Sequence, residues 1–201
     1  MAPTINYLQW CYMSCSDPRD VRLARIADAA AIAEIHVTSW RAAYAGQLPD
    51  DYLDNLSVSD RQHTWKQTLR DPTLPNRVFV VAEQGVVAGF ASIGPSRDDD
   101  APAGTGELRA IYLSPCHWNR GLGRLLHDHA LDALSNDGHR RATLWVLRTN
   151  NRARRFYHRS GWLPDGTTKI DTIDSLVLEE IRYHKTLDSA ALKVSLEEPP
   201  R

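Results

Sequence analysis

The segment of the sequence that most constrains the fold runs from an apolar strand through a glycine-bearing turn into a helix. Glu107–Leu113 reads as a strand, and Gly121 and Gly123 open a helix whose apolar residues recur at helical spacing. Such a turn leaves several backbone N–H groups without intrahelical partners, and the helix dipole adds partial positive charge. Because glycine has no side chain, an anion can approach this backbone closely. The segment therefore predicts a pyrophosphate cradle, with a plain helix start as the alternative interpretation.

The glycine spacing argues against two common phosphate-binding motifs. A dinucleotide-binding turn needs a third glycine three residues after the second, where this sequence has Leu126. A P-loop ends in Gly-Lys followed by Ser or Thr, and the sequence has no such triplet. Arg120 and Arg124 bring formal positive charge to the same helix end. We therefore expect an anion site here, but not the site of a nucleotide phosphoryl-transfer enzyme.

The remaining pattern predicts one α/β domain of the α+β type. Strands are expected at Val21–Ile26, Val78–Val81, Val86–Ile93, Glu107–Leu113, Arg141–Leu147, Thr167–Ile173 and Leu176–Thr186. Helices are expected from an Asp28 cap to Tyr44, after Pro49, from a Ser59 cap through Leu69, from Gly121 to Gly138, and over Asn150–Ser160. This order favours a mixed, mostly antiparallel sheet of about seven strands with helices on both faces.

The predicted domain occupies the middle of the chain. Residues 21–187 carry the strand and helix signals, residues 1–20 form an N-terminal extension, and residues 188–201 form a C-terminal tail. A polar stretch inside the domain, Arg97–Gly106, contains three consecutive aspartates. We interpret that stretch as a solvated turn.

Composition excludes several classes of protein. The 201 residues include 24 Lys and Arg against 25 Asp and Glu, which argues against a protein held on nucleic acid by a positive field. No apolar run approaches the roughly 20 residues that span a bilayer, and no secretory signal is recognisable. Three cysteines fit a reduced, cytoplasmic setting. Cys11 and Cys15 lack a second pair of ligands, so we expect no metal.

A second motif begins about 30 residues after the cradle, and the two together identify a family. The sequence resembles the GNAT acetyltransferase superfamily from about Val21 to Leu187. Its second motif is matched at Asn150, Ala153, Phe156, Tyr157 and Gly161, with Trp162 where Phe is usual. Its first motif is matched at both cradle glycines, whereas Trp118 replaces the leading Gln or Arg.

The resemblance implies acetyl-CoA as co-substrate and a gap between the fourth and fifth strands that holds its pantetheine arm. Backbone groups at Ile111 and Leu113 would pair with the arm as a missing strand does. The residues implied in binding are Ile111, Tyr112, Leu113, Asn119, Arg120, Gly121, Leu122, Gly123, Arg124, Asn150 and Arg155. For Asn150, a helix cap is an equally good interpretation and compatible with the first.

Two residues are candidates for proton transfer. Tyr157 matches the family's usual general acid, since a phenol with a pKa of about 10 keeps its proton at neutral pH. Glu107 is our candidate base, because an alkyl ammonium must lose a proton before it attacks; an exposed strand residue is the alternative. Cys116 lies beside the cradle, but the sequence identifies no histidine–acid partner, so direct transfer is preferred over an acetyl-cysteine.

The resemblance thus implies an N-acetyltransferase that moves acetyl to a primary amine of a small molecule within a ternary complex. Trp40, Tyr44 and Asp50 are the candidate acceptor residues. Two alternatives stay open, an acetyltransferase acting on protein N-termini or lysines and a non-catalytic acyl-CoA sensor. Whether the protein forms a homodimer also stays open, and we expect neither nucleic acid nor membrane as a partner.

Overall fold

A computed structural model describes residues 19–71, 73–173 and 176–187. These residues form a single seven-stranded sheet and five α-helices. The strands are β1 (Arg19–Leu23), β2 (Arg77–Glu83), β3 (Val86–Pro95), β4 (Thr105–Leu113), β5 (Arg141–Leu147), β6 (Leu163–Ile173) and β7 (Leu176–Thr186). The helices are α1 (Ala29–Tyr44), α2 (Asp50–Asp54), α3 (Val58–Arg70), α4 (Leu122–Asn136) and α5 (Asn151–Arg159). The predicted C-terminal tail and residues 1–18 of the predicted extension lie outside the described residues.

The sheet confirms the predicted mixed topology and the gap between the fourth and fifth strands. Its order is β1-β2-β3-β4-β5-β7-β6, and the only parallel neighbours in this sheet of described residues are β4 and β5. These two strands pair only where Thr105–Glu107 meets Arg141–Thr143. Beyond that point β4 continues to Leu113 without a partner on its β5 side. A bulge places Arg109 opposite no residue of β3, and such a bulge bends its strand.

Helices cover both faces of the sheet because the side chains of β2 alternate between them. Phe79 and Val81 pack in the cluster that contains Leu122 and Leu126 of α4. Val78 and Val80 pack instead with α1, in the cluster that contains Ile32. Every one of these side chains is buried, so both faces of the central strands are covered as the sequence predicted.

Several element boundaries differ from the expected ones. Strand β1 begins at Arg19, inside the predicted extension, and ends at Leu23. Helix α3 is capped by Ser57 rather than Ser59, because the Ser57 hydroxyl accepts a hydrogen bond from the Asp60 N–H at 3.2 Å. Asp28 lies at the N-cap of α1, but its carboxylate accepts from Arg22 instead of capping the helix.

The predicted solvated turn at Arg97–Gly106 is wrong in two respects. Its last two residues, Thr105 and Gly106, are the start of β4. Asp98 and Asp100 are not simply solvated, because both carboxylates pair with Arg182. A run of aspartates in a sequence indicates a solvent-exposed turn. Here Arg182, which is distant in the sequence, pairs with two of these aspartates in the folded protein.

No helix among the described residues is long and apolar enough to cross a membrane. Within the same residues, no group of His, Cys, Asp and Glu is arranged to hold a metal ion.

Two histidines are held neutral inside the fold. The His127 ring accepts a hydrogen bond at Nε2 from the Trp162 indole at 2.9 Å, while its Nδ1 lies 2.8 Å from an Asp128 oxygen. His36 lies beneath Trp65, whose indole N–H points at its Nδ1 over 3.3 Å. Burial lowers the pKa of His127, and it lowers the pKa of His36 from 6.5 to about 4.

We therefore predict that the protein loses stability as the pH falls from about 7 to about 4.5. Below pH 6.5 the unfolded histidines bind protons that the folded ones exclude, so the free energy of unfolding decreases. His36 alone accounts for about 2 kcal/mol of this loss at pH 4.5, given the size of its pKa shift. Urea unfolding of the parent and of His36→Phe at both pH values measures the difference.

The His36→Phe variant should show the smaller pH dependence, because its ring no longer titrates. His63→Gln is the matched control, since His63 is exposed on α3. An unchanged pH dependence in His36→Phe would show that this histidine does not titrate between folded and unfolded states as described.

Candidate functional site

The gap between β4 and β5 opens into a cavity of about 840 Å³ that joins both sequence motifs. Glu107–Leu113 of β4 and Trp145–Leu147 of β5 form its sides. The start of α4 and the cavity-facing residues of α5 form one end. The predicted residues that line it are Trp40, Tyr44, Glu107, Ile111, Tyr112, Leu113, Asn119, Gly121, Gly123, Arg124, Asn150, Arg155 and Tyr157.

The cradle has the backbone conformation that its glycines permit. Gly121 precedes α4 with a φ of 85°, in the left-handed region that side chains disfavour. Gly123 has space around it, because an added Cβ would lie 3.5 Å from the Leu113 side chain and 4.0 Å from the Phe156 ring. The protein itself would therefore accept a side chain at Gly123. The open volume in front of this backbone suits a phosphate group, which fits the predicted pyrophosphate cradle.

Arginines add positive charge to this end of the cavity. The arginines of the lining that belong to α4 and α5 are Arg124, Arg152, Arg155 and Arg159. The Arg152 guanidinium lies 3.8 Å from the centre of the Trp118 ring and donates to the Asn119 side-chain oxygen at 3.3 Å. Cations held beside a helix N-terminus make this end suited to an anionic ligand.

Trp118, which replaces the usual Gln or Arg of the family motif, has a structural role in the turn. Its indole N–H donates to the backbone carbonyl of Leu113 at 2.9 Å. The ring thus ties the end of β4 to the turn that leads into α4, while its face supports Arg152.

Two predicted cradle residues do not face the cavity. The Arg120 side chain turns away and pairs with Glu83 at 2.9 Å, because the end of β2 brings that carboxylate close. The Leu122 side chain is fully buried in the core under α4. Only the backbone N–H of Leu122 is therefore placed to serve the cradle.

Asn150 caps α5, as one interpretation of its position predicted, and it also lies at the wall of the cavity. Its side-chain oxygen accepts from the Ala153 N–H at 3.0 Å and caps α5. Its amide nitrogen lies 3.5 Å from the Tyr44 hydroxyl, at the wall of the cavity. The cap therefore fixes the start of α5 against the gap between the strands.

Tyr157 combines burial with a hydroxyl that lines the cavity. Its ring packs against Phe156, Trp162 and Tyr183. Burial raises the pKa of the Tyr157 phenol well above its ordinary value, so the hydroxyl stays protonated at neutral pH. Among the described residues, none forms a hydrogen bond with this hydroxyl, which leaves it available to donate to a ligand.

Glu107 is not the exposed strand residue of the alternative interpretation. It is 2% exposed and lies in the wall of the cavity. Arg97 holds both carboxylate oxygens, with Nη2 at 2.6 Å from Oε1 and Nε at 2.9 Å from Oε2. The backbone N–H of Arg97 also donates to Oε2 at 3.2 Å, and Arg109 Nε lies 3.8 Å away. The carboxylate is therefore held in one orientation.

Of the three candidate acceptor residues, two lie at the cavity. Trp40 and Tyr44 line it on successive turns of α1, with their ring centres 5.1 Å apart. Asp50 is exposed at the start of α2 and is not part of the lining.

Sequence reasoning missed part of the wall opposite the cradle. The missed lining residues there are Ser39, Arg97, Arg109, Trp145, Lys169, Asp171 and Glu180. Lys169 and Asp171 are two residues apart on β6, so their side chains lie on the same face of the strand. This spacing is the sequence signal that could have grouped them.

Cys116 is exposed and does not line the cavity. Its Sγ lies 3.1 Å from His117 Nδ1, so a histidine neighbour exists although the sequence pattern did not identify one. Its position outside the cavity supports direct transfer over an acetyl-cysteine.

Comparisons with known proteins agree with the geometry. Residues 30–162 match the model of the Acetyltransferase (GNAT) family. The chain is 37% identical over 132 residues to the uncharacterized N-acetyltransferase YuaI of Bacillus subtilis, covering 65% of this chain and 72% of that protein. It is 32% identical over 142 residues to the L-amino acid N-acyltransferase MnaT of Escherichia coli, covering 70% of this chain and 76% of MnaT.

A solved structure shares the fold and contains the co-substrate. The structure of yncA, a putative acetyltransferase from Salmonella typhimurium with its cofactor acetyl-CoA, matches with a TM-score of 0.62 and 24% identity. The match covers 87% of this chain and 96% of that one. With the family match, the relatives and the cradle in agreement, this chain belongs to the GNAT acetyltransferase family and is an N-acetyltransferase that uses acetyl-CoA.

Proposed function

We propose that the enzyme acetylates the primary amine of a small molecule, with L-amino acids as the first class to test. The observation that carries the proposal is one continuous cavity that holds the cradle, Tyr157 and Glu107 together. The similarity to MnaT, named an L-amino acid N-acyltransferase, supports the choice of acceptor class. A cytoplasmic location stays a prediction from the sequence, and whether the protein forms a homodimer stays open.

In the proposed complex, the cradle and its arginines bind the pyrophosphate of acetyl-CoA. The edge of β4 left free by β5 offers backbone groups at Ile111 and Leu113 to the pantetheine arm. A backbone N–H on this edge polarises the thioester carbonyl and stabilises the oxyanion that develops on it. The opposite wall, with Trp40 and Tyr44, then receives the acceptor.

In the proposed reaction, the neutral amine nitrogen attacks the thioester carbonyl carbon, and the carbon–sulfur bond breaks as the tetrahedral species collapses. Glu107, directly or through water, takes the proton that the amine must lose. Tyr157 donates its phenolic proton to the departing sulfur, and the proton that the attacking nitrogen loses as the amide forms returns through solvent to the Tyr157 phenolate. The products are the acetylated amine and the free thiol of coenzyme A.

A protein acceptor is the main alternative, whereas the non-catalytic sensor is set aside because the chain is an N-acetyltransferase. The buried setting of Glu107 and Tyr157 favours a small acceptor over a long chain. A screen for thiol release from acetyl-CoA separates these alternatives, with L-amino acids, polyamines and peptides bearing a free N-terminus or lysine as acceptors. Turnover with amino acids or polyamines alone supports a small-molecule acceptor, and turnover with peptides alone contradicts it.

We predict that Gly123→Val weakens acetyl-CoA binding by about tenfold or more, equivalent to at least about 1.4 kcal/mol. The new side chain would occupy the space of the pyrophosphate, whereas its Cβ meets the protein only at ordinary contact distances. Isothermal titration of both proteins with acetyl-CoA measures the change. Leu125→Val is the matched control, since it adds a branched residue on the same helix at a partly exposed position outside the lining. Equal affinity in a folded Gly123→Val protein would remove the cradle assignment.

We predict that Tyr157→Phe lowers turnover by about a hundredfold, the lower end of general acid catalysis. The expected effect is modest because a thiolate with a pKa of about 8.5 is already a fair leaving group. The ring and its packing are kept, so the acetyl-CoA dissociation constant should stay near that of the parent. Tyr183→Phe is the control, because it removes a phenolic hydroxyl beside Tyr157 that does not line the cavity. Undiminished turnover in Tyr157→Phe, with chemistry rate-limiting, would make Tyr157 a packing residue.

We predict that Glu107→Gln lowers turnover near neutral pH and recovers part of it as the pH approaches the pKa of the amine. At higher pH more of the acceptor is already deprotonated, so the base is needed less. Rate profiles of the two proteins between about pH 6.5 and about pH 9.5 test this. If the two profiles keep the same shape, the base is another group.

A further inference from the structure

An arginine behind the proposed acceptor wall joins three acidic side chains from two separate segments of the chain. Arg182 on β7 is 10% exposed, and its two terminal nitrogens donate to the Asp100 carboxylate at 2.6 and 2.7 Å. Its Nε donates to Asp165 at 2.6 Å, and Asp98 lies 3.4 Å from Nη1. The Thr167 hydroxyl accepts a further bond at 3.0 Å. All of the guanidinium nitrogens are thus engaged by β6 and by the loop before β4.

The same cluster reaches a residue of the cavity wall. Trp145 lies opposite Arg182 in the pairing of β5 with β7, and its ring centre is 5.6 Å from the guanidinium carbon. The indole N–H of Trp145 donates to Asp98 Oδ1 at 2.9 Å. Asp98, which belongs to the loop before β4, therefore contacts both Arg182 and Trp145, and Trp145 lines the cavity.

The loop held by this cluster is also the one that holds Glu107. Arg97 precedes Asp98 in the chain and binds Glu107 through both its backbone N–H and its guanidinium. The Arg97 side chain is largely exposed, so little packing fixes it apart from these bonds. Its position depends on where the backbone of residues 97–100 lies.

We propose that Arg182 is a positioning residue for the acceptor side of the active site. Arg182 anchors Asp98 and Asp100, and the anchored loop keeps Arg97 and Trp145 in place around Glu107. The acetyl-CoA side is independent of this anchor, because the cradle and its arginines belong to α4 and α5. Loss of the anchor should therefore weaken use of the acceptor and leave acetyl-CoA binding intact. This inference rests on the proposed function, because it assumes that Glu107 is the base that acts on the acceptor amine.

The double variant Asp98→Asn/Asp100→Asn tests the proposal with little risk to folding. Asp100 is 63% exposed, and the asparagine at 98 can still accept the bond from Trp145. The cluster has three carboxylates for one arginine, so removing two negative charges leaves Arg182 paired with Asp165. Asp99→Asn is the matched control, because Asp99 is an exposed neighbour in the same run. Arg182→Lys is a second variant, which keeps the charge but loses the paired geometry.

Hydrogen exchange gives a readout that does not depend on catalysis. The Arg97 amide, which donates to Glu107, should exchange about tenfold faster in the double variant than in the parent or in Asp99→Asn. The amides of β5 should keep their protection. Unchanged exchange at Arg97 would overturn the proposal whether or not any acceptor is turned over.

Kinetics with L-methionine as the acceptor probe test the consequence. We expect the acceptor KM to rise about tenfold in the double variant, and to a smaller extent in Arg182→Lys, with the KM for acetyl-CoA within about twofold of the parent. Equal changes in both KM values, or none in the acceptor KM despite faster exchange, would overturn the positioning role. If the parent does not acetylate L-methionine or other amines, the proposed function fails, while the exchange experiment still decides whether Arg182 anchors the loop.

Discussion

The active site depends on the divergence of β4 and β5. Parallel strands need a crossover, here made by α4, and a crossover places a helix N-terminus at the end of the first strand. Because the pairing of the two strands stops at Glu107, the rest of β4 keeps an edge of unpaired backbone groups. The bulge at Arg109 adds to the bend of this strand. One departure from regular pairing thus produces the binding edge, the cavity and the position of the cradle together.

The two ends of the cavity use charge in different ways. At the cradle, several arginines lie beside a helix N-terminus, and the Arg152 guanidinium stacks on the Trp118 ring. The positive electrostatic potential at this end therefore favours a polyanionic ligand. At the other end, cations and carboxylates are paired, as in Arg97 with Glu107 and Lys169 with Glu180. Paired charges hold side chains in place while leaving little net field. The first arrangement suits anchoring of a large co-substrate, and the second suits orientation of a small acceptor.

Sequence patterns predicted most of the fold because helix caps, glycine turns and strands depend mainly on residues that are neighbours in the chain. The cap at Asn150, the glycines of the cradle and the extent of β5 follow from neighbouring residues, and the structure reproduces them. The errors arose where a distant partner decides. Asp98 and Asp100 were expected in a solvated turn, but Arg182 pairs with both. Arg120 was expected at the cradle because it is close in sequence, but Glu83 draws it to the end of β2.

The sequence by itself identified the family, the glycine-bearing turn of the proposed cradle and the candidate acid Tyr157, since these lie in two short motifs. Only the tertiary structure decided the acceptor end. That wall is assembled from α1, the loop before β4, β5, β6 and β7, which are far apart in the chain. Its key contacts are charge pairs such as Arg182 with Asp100, separated by 82 residues. A local pattern does not encode a pairing between distant side chains, because their approach is set by the packing of the whole sheet.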